Sequence, residues 1–333
     1  MTPDSDAFRL WAGTDQEAAS GTDLLDHDWS RPGPHLVQAY HGSTHRFTVF
    51  DPARCSHMGH FGNVHYFTTC IVDARMNYAN PKGPDLCTRV SREAERLAND
   101  IENDPVAAGL AEDADYAVIE ARAEELARAR LVGPERDVMT LFLRLDKPLI
   151  VDAAGQINLP LFEDMPAYGD AMEKVATRHG LTLDELQDRE EEFEDEIHAL
   201  HDEAYLALKE RFDQALWAAS RTLDCDCPDR LEIDDQIFEE VGGTAFNQIM
   251  RNDAGLWDIE DAEGESVGHS LISGLLAELG YDSIVLLNAN LQFPSMRMSP
   301  GTTHVHIMGK EQTRIKSAAN CGSFDPANPD ITL

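Results

Sequence analysis

Apolar residues recur along this chain with two periods, and the switch between them separates predicted strands from predicted helices. Leu36 to Tyr40 is a short apolar run of strand length, and Tyr66 to Thr69 reads as a second strand. The loop between them, over 45–64, holds Gly59, Gly62 and three histidines. Val72 to Ala79 reads as the helix that follows. Residues 83–135 read as helical, with Glu112 to Arg130 rich in Ala, Glu, Leu and Arg. From Val138 to Val151 the pattern runs apolar through Met139, Leu141, Leu143 and Leu145, which predicts one strand whose exit is bent by Pro148.

Residues 163–222 differ in character. Thr182 and Glu185 form a capping-box pattern. After it, Leu186, Phe193, Ile197, Leu200, Ala204, Leu208 and Phe212 mark one helical stripe, while the opposite face is almost all Glu and Asp. This predicts a long surface-docked helix or a helical hairpin. Ser266 to Leu279 reads as an amphipathic helix stopped by Gly280. Ile284 to Leu287 and Val305 to Met308 read as buried strands. Residues 1–34 are polar and turn-rich, ending in Arg31-Pro32-Gly33-Pro34, and read as a loose lead-in. The predicted organisation is that lead-in and one α+β domain over 35–333, with helical insertions at about 83–135 and 163–222.

Composition narrows the function classes. Asp and Glu number 61 against 27 Lys and Arg, a net charge of −34, which repels nucleic-acid backbones unless a local basic groove intervenes. No run of apolar residues is long enough for a membrane span, and Met1 to Asp23 has neither a basic segment nor an apolar core. The expectation is a cytoplasmic protein, acting in its own cell or delivered into another. Cys55, Cys70, Cys87, Cys225, Cys227 and Cys321 show no disulfide-framework spacing and read as reduced thiols.

The candidate chemistry begins at Tyr40-His41-Gly42-Ser43. A glycine lets a backbone approach a ligand closely, and a neighbouring histidine can donate to a hydroxyl. On the next strand, within Tyr66-Phe67-Thr68, the Tyr66 ring could lie on a flat aromatic group. Together these suit a ligand that joins an aromatic amide to a ribose, as NAD⁺ does. The closing run Arg314-Ile315-Lys316-Ser317-Ala318, with Asn320 and Gly322-Ser323-Phe324-Asp325-Pro326, is expected to complete the same site.

These pieces resemble the ADP-ribosyltransferases of the His-Tyr-Glu type, most nearly the ADP-ribosyltransferase domain of phage and mobile-element polyvalent proteins. The resemblance lies in Tyr40-His41-Gly42-Ser43, Phe61-Gly62-Asn63-Val64-His65-Tyr66-Phe67-Thr68-Thr69, Phe142 to Asp152, Leu279-Gly280-Tyr281-Asp282-Ser283-Ile284-Val285 and Ile315-Lys316-Ser317-Ala318. It covers roughly 36–80, 138–155 and 266–333. It implies split, mostly antiparallel sheets around an NAD cleft, with helical insertions. It also implies mono-ADP-ribosyl transfer from NAD⁺ to a macromolecular acceptor, a protein in preference to a nucleic acid.

By position, the resemblance implies that His41 bonds the ribose, Gly42 contacts the carboxamide and Tyr66 stacks on the nicotinamide. Tyr78 would cover its opposite face, and Tyr40, Ser43, Phe67 and Thr68 would line the NAD site. His304 stands where the family carries its catalytic glutamate, so the implied catalytic set is His41, Tyr66 and His304. Glu311 is the nearest carboxylate in sequence. A member without the glutamate is expected to transfer single units, or to bind NAD or a partner protein without turnover.

Other clusters read less specifically. Cys55, His57, His60, His65, His304 and His306 could offer zinc ligands, but their spacing fits no standard module, and no metal is expected. Cys225-Asp226-Cys227 lacks the redox spacing, and the acidic runs Asp224 to Asp235 and Asp253 to Glu265 lack the calcium-loop pattern. The Glu190 to Glu196 run reads as a solvated helix face or a docking surface for a basic target.

Overall fold

A computed structural model describes residues 5–13, 29, 34–55, 61–155, 162, 167–221, 223, 267–320 and 322–333. Among them, seven strands form one sheet: β1 (His35–Ser43), β2 (Val64–Thr68), β3 (Asp137–Leu145), β4 (Pro148–Asp152), β5 (Ser283–Leu287), β6 (His304–Met308) and β7 (Ile315–Ser317). Their order is β4-β5-β6-β2-β1-β3-β7, with only β4 and β5 parallel. The fold is therefore mixed α and β around a mostly antiparallel sheet, as the sequence leads one to expect.

The sheet is continuous but nearly parted at its middle. β1 pairs with β3 along its whole length, from His35↔Leu145 to Ser43↔Asp137, and β2 pairs with β6 from Val64↔Met308 to Thr68↔His304. Between β1 and β2 the pairing is reduced to Tyr40↔Thr68. Two half-sheets thus meet at one residue pair, and the gap beside that pair is where the candidate site lies.

Each face of the sheet carries its own core. On one face Ile284, Leu286, Leu149 and Val151 pack against α7 (Glu190–Arg221), through Leu208, Phe212 and Leu216, and against α8 (Gly268–Glu278), through Leu271 and Leu275. Phe212 and Leu271 are completely buried, each worth about 1.5–3 kcal/mol relative to exposure. On the other face Val37, Ala39, Leu141, Leu143, Val285 and Val305 pack together with Phe50 and Phe67. The pair α3 (Pro84–Asn103) and α4 (Tyr116–Leu131) buries its apolar stripes largely against each other, as a helical insertion would.

The second insertion combines the two expected forms, a 32-residue helix with shorter helices packed back against it. α5 (Tyr168–His179) and α6 (Leu183–Gln187) precede α7, and the capping box opens α6: the Thr182 hydroxyl accepts from the Glu185 amide and the Glu185 carboxylate accepts from the Thr182 amide. Gly280 follows α8 with φ +87°, as its stop position requires.

Two expectations are corrected here. The run 138–151 is two strands at distant places in the sheet, and Pro148 starts β4 instead of bending the end of β3. The cause is remote in sequence: Asp282 Oδ2 accepts from the Asp146 and Lys147 amides at 2.7 and 2.9 Å, and Arg314 bridges Asp146 and Asp282, fixing a turn between the strands. The lead-in is not uniformly loose either. α1 (Asp6–Ala12) is capped by Ser5 and buries Phe8 and Trp11 fully against Phe142 and Phe324, because its apolar residues share one face. His57, His60, Cys225-Asp226-Cys227 and the two acidic runs lie outside the described residues. Among those described, no helix is long and apolar enough to cross a membrane.

Candidate functional site

The split between β1 and β2 opens a cleft lined by Tyr40, His41 and Gly42 of β1, Tyr66, Phe67 and Thr68 of β2, Tyr78, and His304 of β6. Register explains part of this. Tyr40, Thr68 and His304 are paired across three neighbouring strands, so their side chains share one face. Tyr78 arrives from a short helix, α2 (Ile71–Asp73), that continues as a π-turn over Ala74–Tyr78, closed by the Ala79 amide donating to the Ala74 carbonyl at 2.9 Å.

Gly42 is what lets that turn come close. A Cβ there would stand 2.1 Å from the Ala74 carbonyl oxygen and 2.9 Å from Tyr78 Cβ. The glycine is thus accounted for by the protein's own backbone, and a ligand would meet the rest of the strand edge that parts from β2.

His41 fills the gap itself. Its Nδ1 lies 2.8 Å from the Tyr66 carbonyl oxygen, which can only accept, so Nδ1 carries the proton. Burial lowers its pKa against that hydrogen bond, with Arg89 adding to the fall. The ring is therefore neutral at pH 7, and its Nε2 holds a lone pair. Toward a ribose hydroxyl His41 would accept, not donate as its place in the sequence suggests. Phe47, Phe50 and Phe67 surround the ring, with centroids 5.1–5.7 Å away.

Tyr66 is fixed at both ends. Its hydroxyl accepts from the Phe61 amide at 2.9 Å, and its ring meets the His306 ring edge-on at 4.8 Å. Burial pushes its pKa up, so the phenol stays neutral. Tyr78 is held less firmly, its hydroxyl 3.7 Å from the Met296 sulfur. The cleft is narrow, a cavity of about 30 Å³ that takes a water or two but no aromatic ring. An aromatic ligand could enter only if a wall moved, and Tyr78 is the least tethered wall. A larger, open groove borders the same π-turn, lined by Arg75, Met76, Ala79, Asn80, Arg136 and Val138.

The third-strand position holds an imidazole, and that imidazole has a partner absent from the sequence reading. His304 Nε2 lies 2.9 Å from Asp73 Oδ2, and both side chains are buried. Asp73 Oδ1 accepts from Asn77 Nδ2 at 2.6 Å, and the Asn77 amide is in turn fixed by the Arg297 backbone. One signal could have exposed Asp73: it is a lone carboxylate inside the apolar run Ile71-Val72-Asp73-Ala74, with an amide side chain four residues on.

Other expected members lie elsewhere. Ser43 is not among the cleft residues; its hydroxyl accepts from the His45 amide at 3.0 Å and closes the turn after β1. Glu311 is engaged by Arg314 at 2.6 Å. The closing run does not reach the cleft, because β7 is the outermost strand beyond β3. Lys316 is fully buried and donates to the carbonyls of Asn328, Asp330 and Leu333 at 2.7–3.1 Å, clasping the last residues to the sheet.

The histidines of the zinc reading are also divided. His65 pairs with Ile307 and Tyr66 with His306, so His65 faces away from His304 and His306. Cys55 Sγ is 3.3 Å from His65 Nδ1, with burial raising the thiol to about 12 and lowering the imidazole to about 4. Among the described residues no three His, Cys, Asp or Glu side chains are grouped to hold a metal. Comparison with protein-family models, with curated proteins and with solved structures gives no match for this chain.

Proposed function

We propose that the cleft binds NAD⁺ and that the protein is an NAD-dependent mono-ADP-ribosyltransferase, built on an ADP-ribosyltransferase-like split sheet. One observation carries the reading: residues of three segments, His41 and Gly42 of β1, Tyr66 of β2 and Tyr78 of the π-turn, line a single cleft at the parting of two half-sheets. The nicotinamide would enter between Tyr66 and Tyr78 as the Tyr78 side chain swings aside. His41 Nε2 would accept from a ribose hydroxyl. Attack of a target nucleophile on the ribose C1′ would then release nicotinamide. Catalysis on this reading is positioning plus electrostatics in a dry site.

The neighbouring groove supports a place for the rest of the dinucleotide. In a chain of net charge −34, Arg75 and Arg136 concentrate positive charge there, suited to a diphosphate. The same net charge favours a protein acceptor over a nucleic acid. The exposed acidic residues at the start of α7 would suit a basic target surface. The test is nicotinamide release from NAD⁺ by the native chain and by Tyr66→Ala. A loss of about 100-fold or more in the variant is expected, on the scale of one misplaced substrate-positioning group. Equal rates would count against the assignment.

A second reading is favoured by the imidazole at position 304. An imidazole there supplies less negative charge to an oxocarbenium-like C1′ than a carboxylate would, which suits a module that binds NAD⁺ or a partner protein without turnover. Calorimetric NAD⁺ binding with no nicotinamide release would identify that module.

A further inference from the structure

We propose that Asp73 and His304 work as one unit that replaces the absent strand glutamate, with Asp73 the positioning residue and His304 the base. The inference rests on the NAD⁺ reading above and names the group that receives the proton. Three structural facts lead to it.

First, the orientation of the pair is fixed from outside. The Arg297 amide donates to Asn77 Oδ1 at 3.2 Å, and the Arg297 carbonyl accepts from Asn77 Nδ2 at 3.1 Å. Nδ2 must therefore be the atom facing Asp73, and Asp73 Oδ1 accepts from it. That leaves Oδ2 to accept the Nε2 proton of His304. In the neutral ring this bond leaves the lone pair on Nδ1 of His304.

Second, the imidazole belongs to the cleft wall while the carboxylate does not. His304 lines the cleft beside Tyr78, their ring centroids 6.2 Å apart; Asp73 is completely buried behind it. A buried carboxylate that orients a histidine from behind, with the ring at the wall of a cleft, is the arrangement of an oriented general base.

Third, the unit comes from two elements of the proposed site. Asp73 immediately precedes the π-turn that presents Tyr78, and His304 opposes Thr68 in the β2–β6 register. Closing the turn on a ligand and aligning the base are thereby mechanically linked.

The nucleophile's oxygen bonds to ribose C1′ as its O–H bond breaks. The C1′–N bond to nicotinamide breaks with its electron pair going to the ring nitrogen, which neutralises the pyridinium. The proton passes to His304 Nδ1, and the resulting imidazolium is paired with the Asp73 carboxylate.

The experiment uses the full chain, NAD⁺ as ligand and water as nucleophile, reading NAD⁺ affinity and nicotinamide release separately. Asp73→Asn is expected to hold NAD⁺ affinity within about threefold while slowing release by about 10²–10⁴-fold, the span of a general base. His304→Ala is expected to regain release with added imidazoles, in proportion to their basicity; a ring that merely refilled the hole would restore it regardless of basicity. A folded Asp73→Asn chain with native turnover would overturn the unit, as would rescue that ignores basicity, and in both cases native consumption of NAD⁺ would leave the broader reading standing. A native chain that neither binds nor consumes NAD⁺ would overturn both.

Discussion

The His41 imidazole donates from Nδ1 to the Tyr66 carbonyl oxygen at 2.8 Å, so a side chain takes the place of the ladder where β1 and β2 part. His41→Ala would leave that carbonyl without its donor and open a hole beside Phe50. The expected loss of stability is about 1–3 kcal/mol, the cost of an unsatisfied buried polar group. Urea unfolding measures it, and an unchanged midpoint would mean that the bond does not hold the split together.

Gly42 should tolerate no side chain. A Cβ only 2.1 Å from the Ala74 carbonyl oxygen forces the π-turn away from β1, so Gly42→Ala is expected to cost about 1–3 kcal/mol or more by overpacking. Gly169 is the control. Nothing lies within 4 Å of its missing Cβ, and it sits in the first turn of α5, so Gly169→Ala should be neutral or stabilise by up to about 1 kcal/mol. Thermal unfolding of the two variants side by side separates a packing demand from a general glycine effect.

His65 predicts a pH dependence. Burial lowers its folded pKa to about 4, against 6.5 when exposed, so between these values the unfolded chain binds more protons. Stability from this group is therefore present above pH 6.5 and lost as the pH falls toward 4, by about 3 kcal/mol across the window. The difference in unfolding free energy between the native chain and His65→Gln, followed from pH 7 to 4.5, removes the contribution of the many carboxylates. It should shrink as the solution becomes more acidic, and a constant difference would contradict the assignment.

Lys316 predicts a structural loss without a binding loss. Its ammonium serves three carbonyls of the final residues, and Lys316→Met keeps the stem while leaving those acceptors unsatisfied. A destabilisation of about 2–5 kcal/mol is expected, with NAD⁺ affinity of the folded fraction unchanged. A selective loss of NAD⁺ binding would return the closing run to the cleft.

Much of the scaffold could be read from local pattern. The stripe through Ile197, Leu208 and Phe212, the Thr182–Glu185 box and the stop at Gly280 depend on neighbours within a few turns, and all three are present. Local pattern could not place β4 apart from β3, because Asp282 and Arg314 set that break from far along the chain. Within the candidate site, His41, Gly42 and Tyr66 stood out by residue type, whereas Tyr40 and Tyr78 came only from the resemblance. Asp73 stood out only as a carboxylate in an apolar run, and its pairing with His304, 231 residues away, could not be read from local pattern. Ser43 and the Lys316 run were misplaced for the same reason: polar residues suited to a ligand are equally suited to a turn or a clasp.

On the proposed reading, Tyr66 and Tyr78 bracket a nicotinamide ring whose ribose reaches His41. A crystal structure of the protein with nicotinamide bound tests it most directly. The ring is expected between the two tyrosines, with its amide at the parted edge of β1 near Gly42 and the Tyr78 side chain displaced. A ring seated anywhere else, or a cleft still closed at millimolar nicotinamide, would contradict it.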